Sequence, residues 1–227
     1  MQLAPIFMQS KYLHILTALF VTTLILSNII AVKIASFGGY FLPVAVIIFP
    51  ISYIISDVLT EVYGYAVMRR VIWIGFLCNF ISVIIIAVAR FIPPAPFFTL
   101  NDAFSQVLAQ TPRIFLASIV AYVAGTFLNA FVMARMKVRT KGKHLWLRTI
   151  SSTIVGEGID SALFITIAFY GVFPQEQLLI VLLTQWIFKC GFEVVMTPLT
   201  YLATGFLKRS EKIDHFDTKT NFSPLQF

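Results

Sequence analysis

The stretch FPISYIISDVLTEVYG, from Phe49 to Gly64, decides the fold. It continues an apolar run that begins at Phe41 and carries two carboxylates into a segment that is otherwise suited to lipid. In a helix, residues four positions apart share one stripe. The stripe here is formed by Phe49, Tyr53, Asp57 and Glu61. Because a carboxylate near the centre of a bilayer costs roughly 2.5–3.5 kcal/mol, such residues usually face a cavity or the interior of a bundle. We therefore interpret this stretch as a helix that faces a ligand.

The composition of the 227 residues is that of an integral membrane protein: 59% are hydrophobic, 12% are charged and the mean hydropathy is +0.88. The net charge of +7 does not indicate nucleic-acid binding, because most basic residues lie between apolar runs. Cys78 and Cys190 lie inside apolar runs, and the histidines lie near segment ends. We therefore expect no disulfide, no metal site and no cofactor.

Six apolar stretches are long enough to cross about 30 Å of hydrocarbon, which takes roughly 20 residues. They are predicted at 13–35, 41–64, 70–92, 113–134, 146–172 and 177–207. A proline-rich break at 92–96 ends the third span, and the longest loop follows it as far as residue 112. The expected fold is all-α: one membrane domain over residues 1–227, with six transmembrane helices and a substrate cavity in the bundle.

The distribution of basic residues predicts the orientation of these spans. If the N-terminus is inside, 13 of the 17 Lys and Arg residues lie on the inner side and at most 3 lie on the outer side. Positively charged loops stay in the cytoplasm. Both termini are therefore predicted to be cytoplasmic.

Acids outnumber lysines inside the predicted spans. The acids are Asp57, Glu61, Glu157, Asp160 and Glu193. The only lysines are Lys33 and Lys189, so three acids remain when each lysine is paired. At roughly 3 kcal/mol each, this excess would cost about 9 kcal/mol without protons, cations, buried donors or a ligand. Alternatively, the charged groups pair and hold the helices together. The expected partners are then Lys189 with Glu193, one turn apart, or Lys33 with one of the acids.

Polar and aromatic residues at helical spacing from these acids complete the candidate substrate site. Its members are Asn28, Phe49, Tyr53, Asp57, Glu61, Glu157, Asp160, Phe164, Gln185, Lys189 and Glu193. Some of them also fit other roles. Each aromatic residue, taken singly, also fits ordinary helix packing, and Glu61 also fits the cytoplasmic surface.

Several motifs in this order resemble those of the queuosine precursor transporters, also called the vitamin uptake transporter family. They are SNIIAVK at 27–33, FPISY at 49–53, DVLTEVYG at 57–64, GEGIDS at 156–161, Lys189 with Glu193, TPL at 197–199 and DTKTNFSP at 217–224. The resemblance implies a multi-pass carrier of the bacterial inner membrane, similar in fold to the substrate-binding subunits of energy-coupling-factor transporters. It also implies import of the 7-deazaguanine bases preQ0 and preQ1 for modification of tRNA.

The chemistry of the candidate residues agrees with such a cargo. A deazaguanine presents a ring N–H and an exocyclic amine side by side, and one carboxylate accepts hydrogen bonds from both. We expect Asp57, Glu157 and Asp160 to bind the base, with an aromatic ring stacked on it. Its carbonyl needs a donor such as Asn28, Gln185 or Lys189. The aminomethyl group of preQ1 adds a cation for a second acid.

Two other functions remain open from the residues alone. An intramembrane aspartyl protease uses two acids that share a proton, but GEGID at 156–160 places its Asp one position away from the Gly-x-Gly-Asp element. A proton or cation channel fits the excess of acids but leaves the aromatic stripe without a role. The chain has no P-loop, and we predict no enzymatic activity. A homodimer, coupling subunits, the energy source and the choice among preQ0, preQ1 and queuine are left open.

Overall fold

The computed structural model describes residues 10–31, 33–37, 40–108, 112–171 and 174–226. The helices are α1 (Leu13–Ile30), α2 (Phe49–Tyr63), α3 (Tyr65–Phe91), α4 (Asn101–Leu108), α5 (Pro112–Arg139), α6 (Leu145–Phe169) and α7 (Gln175–Glu211). Within these described ranges, six helical segments are long and apolar enough to cross a membrane. They correspond to α1, α2 with the turn before it, α3, α5, α6 and α7. The predicted all-α, six-span fold class is confirmed.

The connection between α1 and α2 differs from the prediction. The first span was expected to continue to residue 35 and the second to begin at residue 41. Instead, two short antiparallel strands, β1 (Ile34–Phe37) and β2 (Tyr40–Pro43), form a hairpin, and a 3-10 turn (Val44–Ile47) follows it. Hydropathy alone does not separate a short apolar strand from the end of an apolar helix, and β-branched and aromatic residues favour the strand. Helix α2 begins with Pro50 in its first turn, a position that proline favours.

Helices α5 and α6 pack closely where small residues face each other. A Cβ built on Gly125 would lie 2.9 Å from the carbonyl oxygen of Gly156, and the reverse distance is also 2.9 Å. Small residues allow the backbones of transmembrane helices to approach in this way. This crossing fixes the position of the acidic face of α6 relative to α2 and α5.

Residues 212–226, which we call the tail, fold back onto the turn between α2 and α3. Gly64 makes this turn with a φ of +86°, which favours glycine. The Asp217 carboxylate accepts a hydrogen bond from the backbone N–H of Tyr65 at 3.0 Å and so caps the start of α3. The Arg69 side chain donates to two backbone carbonyls of the tail. The tail therefore belongs to the folded bundle.

The outward face of the bundle is apolar. On α3 the exposed large apolar side chains are Ile74, Leu77, Phe80, Ile81, Ile84, Ile85, Val88 and Phe91. Exposed side chains of this kind suit contact with lipid, and the chain is a multi-pass membrane protein.

Candidate substrate site

A cavity lies among α1, α2, α5, α6 and α7, in the half of the bundle where α1 ends and α2 begins. It encloses about 620 Å³ of empty space, including its open mouth. Six of the predicted site residues line it: Asn28, Phe49, Asp160, Phe164, Gln185 and Lys189. Four separate helices supply them, so the fold gathers residues that are up to 161 positions apart in the sequence. Most of the remaining lining is apolar, as ligand pockets usually are.

Lys189 is the charged centre of this cavity. Its Nζ lies 2.6 Å from Glu157 Oε2 and 2.8 Å from Asp160 Oδ2, and all three residues are buried. The same nitrogen lies 4.4 Å from the centroid of the Phe49 ring. The expected pairing of Lys189 with Glu193 is wrong, because both ion pairs reach across to α6. Two buried acids on a facing helix neutralise the lysine better than one acid on its own helix.

Acceptor atoms remain open in and beside the cavity. Gln185 Oε1 and Glu157 Oε1 are buried and have no hydrogen-bond partner within the described part of the chain. A buried acceptor without a partner has lost its hydrogen bonds to water and makes none to the protein, which is unfavourable. Gln185 lines the cavity, whereas Glu157 is connected to it through Lys189. Gln185 Oε1 can therefore take a hydrogen bond from a polar ligand.

Tyr53 lies behind Phe49 rather than in the cavity. The two ring centroids are 5.6 Å apart at an angle of 49°, and Tyr53 is buried. Tyr53 therefore supports the position of the Phe49 ring.

Asp57 and Glu193 are buried at a deeper level, and neither is among the described residues that line the cavity. Asn129 Nδ2 donates to Asp57 Oδ1 at 2.6 Å, and Ser152 Oγ lies 3.4 Å from Asp57 Oδ2. Neither neighbour carries a charge. Each step of four residues moves about 6 Å along a helix axis, and Asp57 lies two such steps beyond Phe49, which lines the cavity. The position of Asp57 therefore does not support the expectation that it binds the substrate.

Glu61 lies at the far end of the bundle, also outside the cavity lining. Its Oε1 is 2.8 Å from Arg148 Nη2 and 2.6 Å from Lys208 Nζ, with Lys137 Nζ at 3.7 Å. Lys137 also donates to Asp214 of the tail. Burial raises the pKa of Asp214, but hydrogen bonds from Lys137 and Lys208 outweigh this effect and hold the pKa below its usual range. We call these five residues the Glu61 cluster.

The partners of Asp57 and Glu61 were not predicted from the sequence. Arg148 and Lys137 were counted among the 13 basic residues of the inner side that set the orientation, but both are almost fully buried. A signal was present for Arg148, because the predicted span 146–172 includes it, whereas Lys137 lies just beyond the predicted span 113–134. Asn129 and Ser152 also gave a signal, as polar residues inside apolar runs.

Comparison with known proteins agrees with the motifs. The family described as "Putative vitamin uptake transporter" matches residues 43–203. The "Probable queuosine precursor transporter" of Bacillus subtilis (strain 168) is 24% identical over 187 residues, which cover 82% of each chain. The "Queuosine precursor transporter" of Escherichia coli (strain K12) is 25% identical over 166 residues, which cover 71% of this chain and 72% of that protein. No solved structure matches significantly.

The matched region contains α2 to α6 and most of α7, and these helices supply five of the six predicted residues in the cavity. The resemblance found in the motifs is thereby confirmed. The family is one of transporters, which confirms that the chain is not an enzyme and argues against the protease interpretation. The chain belongs to the vitamin uptake transporter family and is a multi-pass membrane transporter of a small molecule.

Proposed function

We propose that the chain imports a 7-deazaguanine base, preQ0 or preQ1, across the bacterial inner membrane. The observation that carries this proposal is the convergence of Asp160, Gln185 and two aromatic rings on one cavity. The names of the two relatives support the same cargo. The proposal requires neither a homodimer nor coupling subunits.

The polar groups of the cavity match the edge of the base. Asp160 accepts from the ring N–H and the exocyclic amine, which lie side by side as a carboxylate requires. The carbonyl of the base accepts from Lys189 or Asn28. Gln185 Oε1, which has no partner among the described residues, accepts a further N–H. Together these contacts satisfy groups that would otherwise be buried without hydrogen bonds.

The aromatic residues hold the flat ring. Stacking of a base on an aromatic side chain contributes about 1–3 kcal/mol in nucleic-acid proteins. Lys189 Nζ lies over the ring of Phe49, so this ring borders the part of the cavity where the polar edge of the base binds. Phe164, one turn beyond Asp160 on α6, offers a second ring at the cavity wall.

The other predicted site residues take indirect roles in this proposal. Glu157 sets the position and charge of Lys189, and Tyr53 supports Phe49. Asp57, Glu61 and Glu193 make no contact with the base. The set that binds the substrate is thus smaller than the eleven residues predicted from the sequence.

Uptake of labelled preQ1 by cells that are unable to synthesise it tests the proposal. Asp160→Asn replaces one acceptor oxygen with a donor, and loss of a hydrogen bond to a charged group costs roughly 1.5–3 kcal/mol, about ten- to hundredfold in affinity. Phe164→Leu removes a stacking face without touching the ion pairs. Both variants should bind preQ1 more weakly at unchanged membrane levels. Glu176→Gln changes an exposed carboxylate of α7 and serves as the control.

Wild-type uptake by both cavity variants would contradict the proposal. Thermal stabilisation of the purified protein by preQ0, preQ1 and queuine, with guanine as the control, then ranks the cargo. Equal stabilisation by guanine and by all three deazaguanines would remove the assigned specificity.

A further inference from the structure

A column of buried polar side chains connects the cavity to the Glu61 cluster. On α7 it continues from Lys189 towards the Glu61 cluster through Glu193, Thr197, Thr200 and Thr204. Buried polar residues of α2 and α6 face it. Three contacts mark its levels: Lys189 with Glu157 at the cavity, Asp57 with Ser152 in the middle, and Glu61 with Arg148 at the far end. Helices that only pack in lipid do not need such a column.

The charges along this column do not balance. The three cations at the far end, Arg148, Lys137 and Lys208, are engaged by Glu61 and Asp214. Four acids remain: Asp57, Glu157, Asp160 and Glu193. Lys189 is the cation that reaches them in the described part of the chain, and its ion pairs go to Glu157 and Asp160. Asp57 and Glu193 are thus left without a cation.

The surroundings of Asp57 and Glu193 contain further acids. The hydrogen-bond partners of Asp57 are the neutral Asn129 and Ser152, and the charged groups that act on it are Glu193 on α7 and Glu61 on its own helix. The charge of Glu193 also acts on Glu157 on α6 and on Cys190, one turn away on α7. Glu193 Oε1 has no hydrogen-bond partner among the described residues.

Two buried carboxylates that act on each other and lack a cation do not both stay ionised. A metal ion is the other way to balance them, but no group of three His, Cys, Asp or Glu residues within the described ranges is arranged to hold one. Chains of buried Asp and Glu residues serve as proton relays in pumps and transporters.

We propose that Asp57 and Glu193 carry protons along this column, and that import of the base is coupled to proton movement in the same direction. The identity of the cargo in this inference rests on the function proposed above. A proton that enters from the cavity is held between Asp57 and Glu193. It leaves past the Glu61 cluster when that end of the bundle opens.

Purified full-length protein in liposomes that contain a pH-sensitive dye tests the coupling. The probe is labelled preQ0, because its nitrile carries no charge and does not itself shift the pH. In sodium-free buffer without an imposed gradient, addition of preQ0 outside should acidify the lumen as the base enters. An acidic exterior should raise the initial rate of uptake severalfold.

Glu193→Gln and Asp57→Asn should abolish both the acidification and the response to the gradient. Exchange of labelled for unlabelled preQ0 across the membrane should persist in both variants, because neither residue contacts the base. Glu176→Gln, an exposed carboxylate on the same helix, should behave as the wild type. Size-exclusion profiles and melting temperatures identify a variant that fails to fold. In that case, acidification of the lumen by the wild-type protein decides whether import is coupled to protons.

Four results would overturn the inference: wild-type uptake without acidification, uptake driven by a sodium gradient alone, acidification without the base, or unchanged acidification in both variants. Acidification without the base would instead indicate a channel. Failure of wild-type protein to bind preQ0 or preQ1 would contradict the proposed cargo and is detected separately by thermal stabilisation.

Discussion

Gly125 and Gly156 meet where α5 crosses α6, and a Cβ built on either would lie 2.9 Å from the carbonyl oxygen of the other. The Cβ on Gly125 would also lie 2.8 Å from the Cβ of Asp160. The contact between these two glycines thus sets the distance between α5 and Asp160, which lines the cavity.

Gly125→Ala should lower both the thermal stability and the affinity for the base. The added methyl group pushes α6 and Asp160 away from α5, and overpacking of this kind costs about 1–3 kcal/mol. Melting temperature in detergent and binding of preQ1 measure the two effects. Gly205→Ala is the matched control, because a Cβ there meets nothing within 4 Å and alanine favours a helix. Equal melting temperatures for the two variants would contradict the close crossing.

Lys189→Met should destabilise the protein, because it leaves Glu157 and Asp160 buried without their cation. Removal of one partner of a buried ion pair costs about 3–5 kcal/mol. Addition of Glu157→Gln should recover part of this loss in a double-mutant cycle. The matched cycle with Glu193→Gln should show additive losses. Stronger coupling to Glu193 than to Glu157 would contradict the observed pairing.

Asp217→Ala should loosen the tail and lower the melting temperature. The side chain caps the start of α3 through Tyr65, and loss of such a cap costs roughly 0.5–2 kcal/mol. Limited proteolysis should then cleave residues 212–226 faster than in the wild type. Asp102→Ala, which changes an exposed acid in the first turn of α4, should leave both measurements unchanged. Unaltered proteolysis of the Asp217 variant would show that the cap does not hold the tail.

Reporter fusions should show both termini in the cytoplasm, as the distribution of basic residues predicts. Alkaline phosphatase should be active when it is fused within the loop 99–110 and inactive near Lys141. The reversed pattern would place the cavity mouth on the cytoplasmic side and change the direction of the proposed import.

The helical period of the opening stretch correctly placed Tyr53, Asp57 and Glu61 inside the bundle, although burial extends around most of α2. The spacing does not show how far each residue of the stripe lies from the cavity. Twelve residues separate Phe49 from Glu61, which is about 18 Å along a helix axis. The stripe consequently runs from the cavity to the Glu61 cluster, and its four members have different roles.

The partners of the buried acids were less accessible to sequence analysis. Lys137 and Arg148 lie at the edges of apolar runs, so both were counted only as charges that orient the protein. In the structure they remain helical and turn inward, because Glu61 offers them a buried carboxylate. For Lys189, spacing suggested an acid on its own helix, whereas the crossing of α6 and α7 supplies two. Such pairings depend on which helices are neighbours, and sequence spacing does not contain that information.

The hydrogen bond between Asp217 and Tyr65 joins residues 152 positions apart and bears on biosynthesis. A ribosome must translate the whole interval before the cap of α3 exists. Until then, the backbone N–H of Tyr65 and the guanidinium group of Arg69 lack these partners in the nascent bundle. A chain stalled before Asp217 would therefore carry all six spans and still expose an unfinished end, which a quality-control protease can recognise.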